Sequence, residues 1–116
     1  MKYFLQLNPL YFSAVKDKTK TIEVRPSKEE NDRYAQMKAG DEIIFTNSET
    51  KEELGVIITF VHHYKDIKTL LEKESVKNVV PNINSLEKAM EMYNAIEGYK
   101  ERIEKFGIYA IGVETI

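Results

Sequence analysis

The residues of this chain best suited to chemistry gather in one short run, Lys20-Thr21-Ile22-Glu23-Val24-Arg25. Two cations could hold a phosphate or carbonyl oxygen, and the carboxylate between them could accept from an amino group or a base edge. On a strand the side chains alternate, so Glu23 and Arg25 share one face with Thr21, while Ile22 and Val24 turn to the core. Lys20 is out of phase with its partners. It joins them only if the turn that leads into the strand re-aims it. The bland alternative is an exposed strand carrying a Glu–Arg pair worth at most ~1 kcal/mol.

Other residues invite a functional reading and mostly lose it. His62 and His63 are adjacent, so on a strand they face opposite sides, and a zinc site normally takes three or four ligands. No metal site is expected. Met90, Met92 and Tyr93 recur at helical spacing and read as packing. Tyr99 follows Gly98 and could stack on a base, with Lys100 and Arg102 adding cations nearby. The acidic residues Glu29, Glu30 and Asp32 suit the start of a helix.

Composition narrows the classes. The chain has 116 residues, enough for one domain over 1–116, and at 42% hydrophobic it can bury a core. Its formal net charge of −2 argues against tight binding to duplex nucleic acid. The stretch from Lys16 to Lys28 is locally basic, which favours a small anionic or single-stranded ligand. There is no cysteine, which removes disulfides and thiolate chemistry and agrees with a reducing compartment. No run is apolar enough to cross a bilayer, and Met1–Leu7 lacks the long apolar core of a signal peptide. The expected setting is the cytoplasm, with no membrane partner. No Gly-rich phosphate loop is present, so no nucleotide cofactor is expected.

The elements that must position the run follow from periodicity. Residues 2–7 alternate as a strand, and Asn8-Pro9 reads as an N-cap and first helical residue. That helix should reach about Lys18 and pack Leu10 and Ala14, with Tyr11 and Val15. Thr21–Arg25 is a short strand closed by Pro26. Ser27 and Glu30 have capping-box spacing for a polar helix through about Tyr34. Glu42–Thr46 and Leu54–His63 are strands joined by a polar loop, with Val56, Ile58, Phe60 and His62 on one side of the second. Asp66 caps a helix carrying Ile67, Leu70 and Leu71, and residues 75–84 read as a loop. Ser85 caps a helix with Leu86, Ala89, Met90, Tyr93 and Ile96, and Gly98 interrupts it. Tyr99–Phe106 makes two more turns, ended by Gly107, and 108–113 is a closing strand. This order suits an α+β fold, a small and mostly antiparallel barrel or curled sheet with helices packed on it.

With these elements in place, Lys18-Thr19-Lys20-Thr21-Ile22-Glu23-Val24-Arg25 resembles the Gly-x-Lys-x-x-Glu-x-Arg signature of ASCH domains, relatives of the PUA fold. Met37–Phe45 is similar to the family's "GD-x-I-x-F" strand entry. Gly98–Arg102 and Phe106–Ile111 resemble its last helix and strand. The resemblance implies a PUA-like β-barrel whose cleft is lined by Lys20, Glu23 and Arg25, and a ligand that is single-stranded RNA or a nucleoside-like small molecule. Some relatives are amidohydrolases of N-acylated cytidine, with a threonine where this chain has Glu23. A hydroxyl nucleophile beside an amine base suits acyl transfer, whereas a carboxylate could act only as a general base for water. The leading expectation is therefore a binding module. An amidohydrolase or ribonuclease, and a protein–protein regulatory module, are the alternatives. Lys18 stands where the signature has glycine: either the turn does without a positive φ, or the lysine is held strained.

Overall fold

The computed structural model describes residues 1–29 and 32–116. Five strands form one sheet: β1 (Lys2–Leu7), β2 (Ile22–Pro26), β3 (Glu42–Asn47), β4 (Glu53–Tyr64) and β5 (Ile108–Thr115). Their order is β1-β3-β4-β5-β2, and only the β1–β3 pair is parallel. The helices are α1 (Pro9–Lys16), α2 (Arg33–Gln36), α3 (Ile67–Glu74), α4 (Val76–Val79), α5 (Leu86–Asn94) and α6 (Tyr99–Phe106). The fold is a mixed α+β, curled half-barrel with helices packed on it, of the PUA-like kind. None of the described helices is long and apolar enough to cross a membrane.

The curl creates two cores on the two sides of the sheet. Leu5, Leu7, Ile43, Phe45, Val56, Ile58 and Ile111 point inward, where Phe12 and Val15 of α1 plug the barrel. Ile22, Val24, Ile108 and Ala110 point outward and are covered by Ile67, Leu70, Leu71, Val79, Ala89, Tyr93 and Ile103. β5 thus serves both cores with alternate residues, as a strand buried on both faces must.

One irregularity breaks simple alternation. Between Ile58 and Phe60 the β4–β5 register slips, leaving Thr59 as a bulge opposite Gly112. Val56 and Ile58 face the inner core before it, but Phe60 and Tyr64 pack on the outer core after it. A one-residue bulge exchanges the two faces of the strand. Gly112 permits this, because a Cβ there would come 2.2 Å from the Phe60 ring.

Several local expectations need correction. The first helix stops at Lys16, because Asp17 caps it and Lys18 turns left-handed at φ 71°. Leu10 is exposed and Phe12 is the residue buried instead, since the inner core lies on the Phe12–Val15 side. The short polar helix begins at Arg33, with the Asp32 carboxylate accepting from the Tyr34 and Ala35 N–H groups. Glu30, the other half of the expected capping box, lies outside the described residues. The supposed loop 75–84 contains α4 and buries Val79, Val80 and Pro81. Ile96 lies beyond α5 and is exposed.

Candidate functional site

β1 and β2 are the two edges of the sheet, and the curl brings them toward each other. Arg25 donates from Nη2 to the Gln6 carbonyl at 2.8 Å, and Arg33 from Nη1 to the Phe4 carbonyl at 3.5 Å, so side chains bridge the seam. At this seam Gln6, Tyr11, Glu23, Arg25, Tyr93 and Tyr99, among others, line a cleft of about 210 Å³. Glu23 pairs across the sheet with Ile111, and Arg25 with Tyr109, both partners belonging to the inner core. The polar face of β2 is therefore the inner one, and Ile22 and Val24 serve the outer core.

Glu23 is 4% exposed and held from both ends. Its Oε2 accepts from Arg25 Nε at 2.8 Å, and its Oε1 lies 3.5 Å from Lys20 Nζ. Lys20 is 1% exposed. Its ammonium donates to the carbonyls of Ile22 and Val79, each at 2.6 Å, and sits 5.1 Å from the centre of the Tyr11 ring. Burial pushes the Lys20 pKa below the usual lysine range, against the pull of the Glu23 carboxylate. Two carbonyls and the nearby carboxylate surround it, an arrangement that suits the ammonium.

The turn before β2 aims this lysine. Lys20 N–H donates to the Ala14 carbonyl and Thr21 N–H to that of Asn78, so the chain is tied to α1 and α4 on either side. Lys18 reaches this turn only by adopting φ 71°, and it does so without being glycine. Of the two openings left by the sequence, the strained one is realised.

The five residues singled out from sequence do not all meet. Glu23, Arg25 and Tyr99 line the cleft, and Lys20 does not: it is buried, ion-paired with Glu23 and packed against the Tyr11 ring. Lys100 is exposed and does not line it. Lys20 also borders a separate hollow of about 340 Å³, with Thr21, Thr59 and Thr115. That hollow is larger, but the carboxylate, the guanidinium and the stacking rings are all in the smaller one.

Helical spacing assigns Tyr11 and Tyr93 to packing, and both line the cleft. The signal was there, since each places a hydroxyl at an apolar helical position. Burial raises the pKa of both hydroxyls, and the Glu23 charge raises them further. Burial also raises that of Tyr99, with Arg25 opposing. All three remain neutral donors at ordinary pH and are poor nucleophiles. Among the described lining residues there is no serine, threonine or cysteine. Lys20 could serve as a base only after leaving its carbonyl partners. The arrangement is equipped to hold a planar group with N–H donors against Glu23 and acceptors against the unused N–H groups of Arg25.

The chain belongs to the ASCH domain family, whose model matches residues 5–116. Among solved structures it is similar to the crystal structure of hypothetical protein PH0355, with 34% identity over 100% of both chains and a TM-score of 0.85. It is also similar to the solution structure of protein PF0455 from Pyrococcus furiosus, with 28% identity, a TM-score of 0.76, and 100% and 98% of the two chains covered. The ASCH domain from Lactobacillus crispatus JV V101 shares the fold at 13% identity and a TM-score of 0.61, over 97% of this chain and 79% of that one. A comparison with curated proteins gives no match.

Proposed function

We propose that this ASCH domain is a binding module for single-stranded RNA or a nucleoside-like ligand, and that it takes one base into the seam cleft. The observation that carries the reading is the Glu23 carboxylate, fixed between Lys20 and Arg25 at the floor of a tyrosine-lined cleft. A carboxylate held in this way accepts from base N–H groups, and tyrosine rings stack on any base face. At about 210 Å³ the cleft lies below the ~300–1,000 Å³ of drug-sized pockets, a size that suits one base with part of its sugar. Lys20 acts in this reading as a positioning residue for Glu23, and Arg25 and Tyr99 contact the ligand.

The test is a titration of the four nucleosides and of short single-stranded RNA, followed by NMR shifts of the cleft tyrosines. Saturable shifts of Tyr11 and Tyr99 that weaken in Glu23→Gln and Tyr99→Ala support the reading. RNA binding should be weak and salt-sensitive with a shallow slope, because the few cations at the cleft neutralise few phosphates. Absence of shifts with every nucleoside and RNA at millimolar concentration overturns it.

A further inference from the structure

Phe4 is the one aromatic side chain among the described large exposed apolar residues, at 61% exposure. It lies on edge strand β1, two residues from Gln6 and on the same face, and Gln6 borders the seam cleft. Two residues of strand span about 7 Å. That is comparable with the step between phosphates of an extended single strand.

The cations repeat at the same interval. Arg25 is bonded to the Gln6 carbonyl and Arg33 to the Phe4 carbonyl, so two guanidinium groups stand along the outer edge of β1. The Arg33 bond, at 3.5 Å, is at the long end of hydrogen bonding. Each guanidinium carries five N–H donors and, among the described residues, spends one or two of them here, leaving the rest for a phosphate. Glu23 is already matched by Lys20 and Arg25, while Glu29 and Asp32 border the same hollow as Arg33, with Asp32 taken up by the Lys28, Tyr34 and Ala35 N–H groups. A protein of net charge −2 thus presents a cationic, aromatic edge beside its cleft.

We propose that the β1 edge from Phe4 to Gln6, with Arg25 and Arg33, forms a second nucleotide subsite, so that the natural ligand is a single strand of at least two nucleotides rather than a free nucleoside. This rests on the base-binding reading of the cleft. One base sits at Tyr99, the linking phosphate lies against Arg25 and Arg33, and the neighbouring base stacks on Phe4.

The experiment compares each nucleoside with its homodinucleoside monophosphate, ApA, CpC, GpG or UpU, by NMR titration of wild type, Phe4→Ala and Arg33→Gln. The nucleoside that binds should gain at least about fivefold in affinity as its dinucleotide, as one added base–aromatic stack provides. Phe4→Ala should remove that gain while the nucleoside affinity stays. Arg33→Gln should lower the slope of log affinity against log salt by about 1 for the dinucleotide. Phe4 is exposed, so unchanged thermal unfolding shows that the variant is folded. A nucleoside that binds with no dinucleotide gain, or a gain that survives Phe4→Ala, overturns the subsite and leaves the cleft reading standing. Failure of every nucleoside and every dinucleotide overturns the cleft reading itself, and the subsite with it. Self-association that Phe4→Ala abolishes, with the dinucleotide gain intact, assigns the patch to a protein contact and overturns the proposal.

Discussion

The ammonium of Lys20 lies 3.5 Å from the carboxylate of Glu23, and both side chains are almost wholly removed from solvent. Lys20 also ties to the carbonyl of Val79 at the end of α4, so the carboxylate of the cleft is braced by a helix from the outer core. In the proposed reading the lysine of the motif is thereby a positioning group, and Arg25 is the cation that faces the ligand.

Removing that brace should cost more than removing an exposed charge. Lys20→Met keeps the stem and deletes the ammonium, leaving two carbonyls and part of a carboxylate buried without a donor. The expected loss is about 3–5 kcal/mol in chemical denaturation, the range for breaking one side of a buried pair. Lys100→Met, on an exposed helical residue, should change stability by less than about 0.5 kcal/mol. Equal effects of the two substitutions would remove Lys20 from the role assigned to it.

Glu23 separates binding from catalysis. Glu23→Gln preserves the shape and removes the charge, so affinity for the bound base should fall by about 1–3 kcal/mol. Wild type should show no strong deacylation of acetylcytidine by mass spectrometry, and Glu23→Thr should gain at most a trace, since the lysine beside it is committed to the Ile22 and Val79 carbonyls. Efficient turnover by wild type, abolished by Glu23→Gln with affinity intact, would make this carboxylate a general base.

Lys18 occupies a conformation that glycine tolerates freely, at φ 71°. Lys18→Gly relieves steric strain of roughly 1–2 kcal/mol, offset in part by the greater freedom of glycine in the unfolded chain. A net stabilisation of about 0.5–1 kcal/mol is expected from thermal or denaturant unfolding. Destabilisation of that size would show that the lysine stem makes up for its backbone.

Acid should weaken the fold through its capping carboxylates. The backbone N–H of Thr69 holds the Asp66 carboxyl below the usual range, and the Thr19 hydroxyl, with its backbone N–H, does so for Asp17. A depressed folded pKa gives stability that is present above the unfolded value of ~3.9 and lost as pH falls through the folded one. The melting temperature should therefore drop below about pH 4. Asp66→Asn, which keeps a good N-cap without a titrating group, should flatten part of that drop. An unchanged pH profile in Asp66→Asn would place the acid sensitivity elsewhere.

Much of the architecture was legible because it is written in short-range patterns. Residues 2–7 alternate well enough to mark β1, an apolar run between a turn and a polar loop marks β3, Asn8-Pro9 and Asp66 announce helix starts, and Gly98 and Gly107 bound α6. The pairing of Glu23 with Arg25 on one face of β2 also follows from a two-residue period. Three features did not follow, because each depends on residues far apart in sequence. The Thr59 bulge needs Gly112 across the sheet, and α4 gains its meaning from burying Val79 and offering its carbonyl to Lys20. Whether the Glu23 face looks to solvent or into the barrel is invisible to alternation, which tells that two faces differ but not what covers each. The curl of the sheet decides it by drawing β1 against β2. That same closure makes a cleft from Tyr11, Glu23 and Tyr99, residues that local sequence leaves on three separate elements.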